Sequence, residues 1–191
     1  AGPPGIYTLS LHGALPICGT NVLSWTDNST TTSITKTGLT LSNGTMYYIS
    51  VRATDNVGNV STVSTTDGIT IDTDGPVLET PFEGSLTADR DYQNIATRLI
   101  VSWSGSDTAS GIAMYEYAIN FFFSGIPLSL VPWTSAGTAT ADTLTGLSLL
   151  TEGATYYLSA RATDVAGNLS DPDPSDGITI DLTAPAGTTL S

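Results

Sequence analysis

The side chains of this chain that could do chemistry are almost all carboxylates. It carries 18 Asp and Glu against 5 Lys and Arg, a formal net charge of −13. Two carboxylates facing each other across a cleft would be the acid and base of a glycosidase. Glu79, Glu83, Glu116 and Glu152 are the only Glu residues. Glu116, between Tyr115 and Tyr117, is expected on a strand's outward face and Glu152 in a corner loop, so no sugar-cleft pair is expected. The Asp residues point elsewhere. Asp67, Asp72 and Asp74 lie near one another, and so do Asp173, Asp176 and Asp181. Calcium takes about six to eight oxygen ligands and favours hard carboxylates. Asp72, Asp74, Asp176 and Asp181 are therefore the calcium candidates, and no other cofactor is expected. The turns 55–59 (DNVGN) and 164–168 (DVAGN) each hold one carboxylate, too few for a calcium loop. Their Asp is expected to accept backbone N–H groups while Gly-Asn closes a tight hairpin.

Composition narrows the function further. The negative surplus repels phosphate backbones and anionic membrane surfaces, so nucleic acid is not an expected partner. No apolar run reaches the roughly 18 residues of a membrane-spanning helix, so no membrane insertion is expected. There are 32 Thr residues, and with Val, Ile and Tyr they favour strands over helices. Residues 1–17 (AGPPGIYTLSLHGALPI) resemble a translated short-read sequencing adapter, whose usual frame gives TATTEIYTLSLHDALPI; positions 6–12 and 14–17 match. Residues 1–18 are therefore set aside as adapter-derived. The only His, His12, lies inside this segment and the only Cys, Cys18, sits at its join. Without them there is no Ser-His-Asp or Cys-His catalysis, no His/Cys zinc site and no internal disulfide. The true N-terminus is then expected to be missing, and the lack of a signal peptide says nothing about secretion.

The chain repeats itself. Residues 44–72 align with 153–181 at an offset of 109, without a gap, and 17 of 29 positions are identical. That period is the size of a whole sandwich domain, not of a solenoid unit. Each copy runs into an Asp followed shortly by Pro, as DTDGP at 72–76 and DLTAP at 181–185. Such junctions mark boundaries. They divide the chain into the C-terminal half of a domain at 19–75, a complete domain at 76–184 and the start of a further repeat at 185–191.

Alternation in the complete copy gives strands. Leu99, Val101 and Trp103 share one face, and Tyr115, Tyr117 and Ile119 share another. Trp133 is expected to start a short third strand and 138–144 a fourth. Tyr156, Leu158, Ala160 and Ala162 line a fifth, Ile178 and Ile180 a last one, and 77–78 opens the set. Seven short strands with turns between them indicate an antiparallel β-sandwich. The Leu-x-Val-x-Trp string at 99–103 and the LTEGATY string at 150–156 make this copy similar to fibronectin type III-like (Ig-like) domains of bacterial surface proteins. The second string carries the Leu and Tyr spacing of that family's tyrosine corner, repeated at 41–47, with Glu152 and Asn43 where the family usually has Pro. The resemblance implies an all-β fold of tandem sandwiches in an extracellular protein.

The first copy lacks the opening three strands, so residues 19–72 are expected to be the least stable part, with 7–11 available as a substitute strand. Lys36 falls where Leu144 sits and does not fit a buried strand position. The apolar stretch 121–132 reads as a connection folded over the sheet edge, with Phe122 and Leu128 buried; the other reading is an exposed patch. Arg52 and Arg161 recur at one repeat position on an aromatic face, suited to a cation–π stack or a cross-strand acid. The expected role is a non-catalytic spacer or adhesion module at the cell surface or outside the cell. Its partners would be neighbouring repeats and a surface glycan or protein ligand. The alternative is an accessory or ligand-binding module, rigidified by calcium, of a secreted carbohydrate-active enzyme.

Overall fold

The computed structural model describes residues 6–12, 21–123, 125–147 and 150–187. Cys18, most of the adapter-like flanks and the last four residues of the expected further repeat lie outside them. The chain divides into two units, Ala1–Asp74 and Gly75–Ser191.

Fourteen strands are described. The first unit holds β1 (Ile6–His12), β2 (Asn21–Asp27), β3 (Met46–Thr54), β4 (Ser64–Thr65) and β5 (Ile69–Thr70). The second holds β6 (Val77–Glu83), β7 (Tyr92–Gln93), β8 (Arg98–Ser106), β9 (Ile112–Phe123), β10 (Ile126–Gly137), β11 (Ala141–Thr145), β12 (Thr155–Asp164), β13 (Asp173–Pro174) and β14 (Ile178–Ile180). The described residues contain no helix.

The second unit is an antiparallel Ig-like β-sandwich. One sheet runs β11-β8-β6; the other runs β10-β9-β12-β14, with β7 added in parallel beyond β14. Period-two alternation sets what goes inside. Tyr156, Leu158, Ala160 and Ala162 of β12 pair in register with Phe121, Ile119, Tyr117 and Tyr115 of β9. Leu99, Val101 and Trp103 face them from β8, and Ile178 and Ile180 close the core. Trp103 stacks on Tyr117 at 5.1 Å, and its ring N–H donates to the Ala139 carbonyl at 3.0 Å. The Tyr117 hydroxyl donates to Asp142 at 2.7 Å, so both polar tips inside the sandwich are satisfied. Each fully buried Leu, Ile or Val here stabilises the fold by about 1.5–3 kcal/mol.

The tyrosine corner is present in both units. Tyr156 OH accepts the Thr151 N–H at 3.1 Å, and Tyr47 OH accepts the Ser42 N–H at 2.9 Å.

The first unit has one sheet among its described residues, ordered β2-β1-β3-β4, with β5 also on β3. β1 occupies the place that β9 takes in the second unit. Tyr7, Leu9 and Leu11 pair with Ala53, Val51 and Ile49, just as Tyr115, Tyr117 and Ile119 pair with Ala162, Ala160 and Leu158. No counterpart of β8 is described there, and the exposures follow. Ile49 is 41 % exposed, whereas Leu158 at the same repeat position is 0 % exposed. This also settles Lys36. β11 exists because it pairs with β8, Leu144 opposite Leu99. The first unit offers no such partner, so the segment around Lys36 forms no strand and Lys36 faces solvent.

Two linked expectations are corrected: the third strand is not short and does not start at Trp133, but runs as β10 from Ile126 to Gly137. The stretch 121–132 is not a connection folded over core. It extends β9 and β10 into a long hairpin, with Pro127 opposite Phe122 and Leu128 opposite Phe121. Alternation sends Phe121 inward against Tyr156 and Phe122 outward. Phe122 is 56 % and Leu128 42 % exposed.

Candidate functional site

Three groups of polar side chains recur or converge. The first is on the outer face of the β10-β9-β12 sheet. Arg161 donates from Nε to Glu116 at 2.8 Å while its guanidinium lies 4.3 Å from the Trp133 ring centroid. The first unit repeats the stack: Arg52 lies 4.4 Å over Trp25, and its Nε donates to Thr8 Oγ1 at 3.2 Å. Both the stack and the acid anticipated from sequence are therefore made by Arg161. Nearby, Phe122 meets Tyr157 edge-on at 5.6 Å. These are part-exposed contacts on a sheet face, worth about 1 kcal/mol or less each.

The second group is the Asp turns. Asp164 accepts the Asn168 backbone N–H and its side-chain amide, both at 2.8 Å. Burial pulls this carboxyl up, and the bonds from Asn168, Gly167 and Ala166 outweigh it, leaving it below the ordinary range. Asp55 makes the same bonds to Asn59 at 2.8 Å, and its carboxyl is held low mainly by that side-chain amide. Gly58 and Gly167 sit at φ +92° and +96°, conformations that favour glycine. The turns are built as the sequence suggests.

The third group is acidic. Asp72 accepts the Asp74 N–H at 3.2 Å, and Asp74 accepts from the Asn43 amide at 2.7 Å. Asp181 accepts the Thr183 N–H at 3.1 Å and lines an open cleft with Arg90 and Arg98. Asp176 is set apart from Asp181 and grouped with Glu83 and Asp89: each of the three offers a carboxylate oxygen within 4.8 Å of the others. Of the four calcium candidates, only Asp176 joins an acidic group within one unit, with partners that sequence reasoning missed.

Glu83 is the residue most clearly missed. It is 1 % exposed. Its Oε1 accepts the Leu158 N–H at 2.8 Å and a short bond from the Ser175 hydroxyl. Leu158 lies between the stretches of β12 that pair with β14 (155–156) and with β13 (159–160), so its N–H has no strand partner there. Ser175 Oγ also accepts the Leu158 N–H, at 2.9 Å, and in the first unit Thr66 Oγ1 accepts the equivalent Ile49 N–H at 3.1 Å. Glu83 Oε2 is buried, with no hydrogen-bond partner among the described residues. Desolvation, with Asp89 and Asp176 adding repulsion, pushes this carboxyl up to about 7 against the bonds from Ser175 and Leu158.

The signal that could have exposed Glu83 lies in β6. Alternation from Leu78 would send residues 80 and 82 inward. A register shift between Glu79 and Phe82 inverts it, and Pro81 and Glu83 go in instead.

The residue at the tyrosine corner that departs from the family pattern has a use. Asn43 Oδ1 accepts the Thr73 N–H at 2.7 Å. At the equivalent position Glu152 accepts the Leu182 N–H at 2.6 Å and the Thr183 hydroxyl at 3.0 Å. In both units this side chain ties down the segment that follows the last strand.

No family model matches the chain. It is 34 % identical over 165 residues to "Exoglucanase B" of Cellulomonas fimi, which covers 83 % of this chain and 14 % of that protein. The chain thus spans about one seventh, 14 %, of the curated relative it matches. Among solved structures it is similar to the FN1–FN3 domains of chicken CNTN1 (16 % identity, 93 % of this chain, 56 % of that chain, TM-score 0.41). It is also similar to a structure of titin domains (16 % identity, 95 % and 56 %, TM-score 0.49). In the second unit the strand order and the tyrosine corner are those of an Ig-like β-sandwich fold.

Proposed function

We propose that the chain is part of a modular extracellular protein in which sandwich domains follow one another as non-catalytic spacers. The observation that carries this reading is the tie from the corner residue to the outgoing segment. An amide in one unit and a carboxylate in the other, at the same repeat position, hold the backbone that leaves the domain. A held exit removes the bending freedom an unpinned linker would have. The net charge of −13 keeps neighbouring repeats mutually repelling and soluble. The recurrent polar side chains are engaged in turns, corners and sheet-face contacts, which supports a non-catalytic role. An adhesive surface for a glycan or protein would be the outer sheet face and the apolar hairpin.

A second reading, an accessory module of a secreted carbohydrate-active enzyme, is favoured by the likeness to an exoglucanase. Sequencing the complete reading frame tests both. Further repeats ending in a surface-sorting segment support the spacer or adhesion role; a catalytic domain in the same frame supports the accessory role. The same sequencing tests the adapter origin of residues 1–18. Alternating Tyr7, Leu9 and Leu11 are enough to fill the β9-like slot whatever their origin.

A further inference from the structure

We infer that Glu83, Asp89 and Asp176 form a divalent cation site of the calcium class on the second unit, lying within one domain. Three observations converge. The three side chains each bring a carboxylate oxygen within 4.8 Å of the others. Calcium–oxygen bonds of about 2.3–2.6 Å let one ion span oxygens up to roughly 5 Å apart, so a single ion can meet all three carboxylates. Glu83 is buried, yet its Oε2 has no partner among the described residues, so an acceptor inside the fold is left open.

The third observation is how the carboxylates are held. Glu83 Oε1 is fixed by the Leu158 N–H and the Ser175 hydroxyl, which orients the side chain and leaves Oε2 as its available atom. Asp89 Oδ1 accepts the Glu83 and Arg90 N–H groups at 3.3 and 2.9 Å, which fixes that carboxylate on the loop after β6. Asp176 comes from the loop between β13 and β14. A cation here would join β6, the following loop and the β13–β14 loop, with water completing its shell on the side where Asp89 and Asp176 are exposed. This site does not depend on whether the module serves as spacer or accessory domain.

The experiment is calorimetric titration of the chelator-stripped full chain with CaCl2, with thermal melts in parallel. The wild type is expected to bind calcium at a Kd of about 10⁻⁴–10⁻³ M, as extracellular modules do, and to melt at higher temperature with calcium. Asp89→Asn/Asp176→Asn should lose one equivalent, with affinity down at least about tenfold. Glu83→Gln keeps both Oε1 bonds and should lose the same equivalent while remaining folded. Asp72→Asn/Asp74→Asn should keep it. Equal stoichiometry in the wild type and in Asp89→Asn/Asp176→Asn overturns the assignment, as does an isotherm with no heat above dilution.

Discussion

Glu83→Gln in metal-free buffer should stabilise the second unit, and only above acidic pH. The carboxyl of Glu83 is raised from 4.5 to about 7, chiefly by loss of hydration. The folded chain therefore holds this proton more tightly than the unfolded chain does. Below about pH 4.5 both states are protonated and the group is neutral to stability. As pH rises towards 7 the unfolded state ionises freely while the folded state resists, so stability falls across that window and then levels off. A difference of about 2.5 units corresponds to roughly 3 kcal/mol, an upper figure. Gln is neutral throughout, and its Oε1 can accept the Leu158 N–H and the Ser175 hydroxyl as Glu83 does. Urea denaturation with chelator present, at pH 4.5 and pH 8, reads the effect through the buried Trp103. The variant should match the wild type at the lower pH and exceed it by up to about 3 kcal/mol at the higher. A variant equally destabilised at both values would show that Glu83 acts only as a hydrogen-bonding plug, and the reasoning from desolvation would fail.

Other outcomes follow from the same structure. Leu158→Ala should cost about 2–5 kcal/mol by cavity formation, while Ile49→Ala at the equivalent but half-open position should cost less than about 1 kcal/mol; paired urea melts check the contrast. Trp103→Phe keeps an aromatic ring but loses the bond to the Ala139 carbonyl and part of the buried indole volume, and should cost about 1–3 kcal/mol in the same melts. Arg161→Lys keeps the charge and loses the planar stack on Trp133. It should cost no more than about 1 kcal/mol, and the Trp133 indole resonance in a proton–nitrogen NMR spectrum should shift.

Much of the sandwich is legible in the sequence because alternation and burial agree there. Leu99, Val101 and Trp103, and then Tyr156 through Ala162, are read correctly from period two alone. The repeat adds the corner and the turns, since both copies keep the Tyr, Asp, Gly and Asn that make those bonds. The hairpin at Phe121–Leu128 was hidden because a run of apolar residues carries no alternation to tell inside from outside. Glu83 was hidden for a different reason: a bulge in β6 shifts the face of every residue after it, and local sequence does not announce the shift. The grouping of Asp176 with Glu83 and Asp89 depends on contacts across 93 residues from Glu83 to Asp176, which spacing along the chain cannot supply.

The spacer reading stands on the tied exit segments, and nitrogen-15 relaxation measures them directly. The backbone amides of Thr73 and Leu182, held by Asn43 and Glu152, should be as ordered as those of β12, with order parameters near 0.85. They should fall below about 0.6 in Asn43→Ala and Glu152→Ala respectively. Amides at Thr73 and Leu182 already below about 0.6 in the wild type would contradict the account.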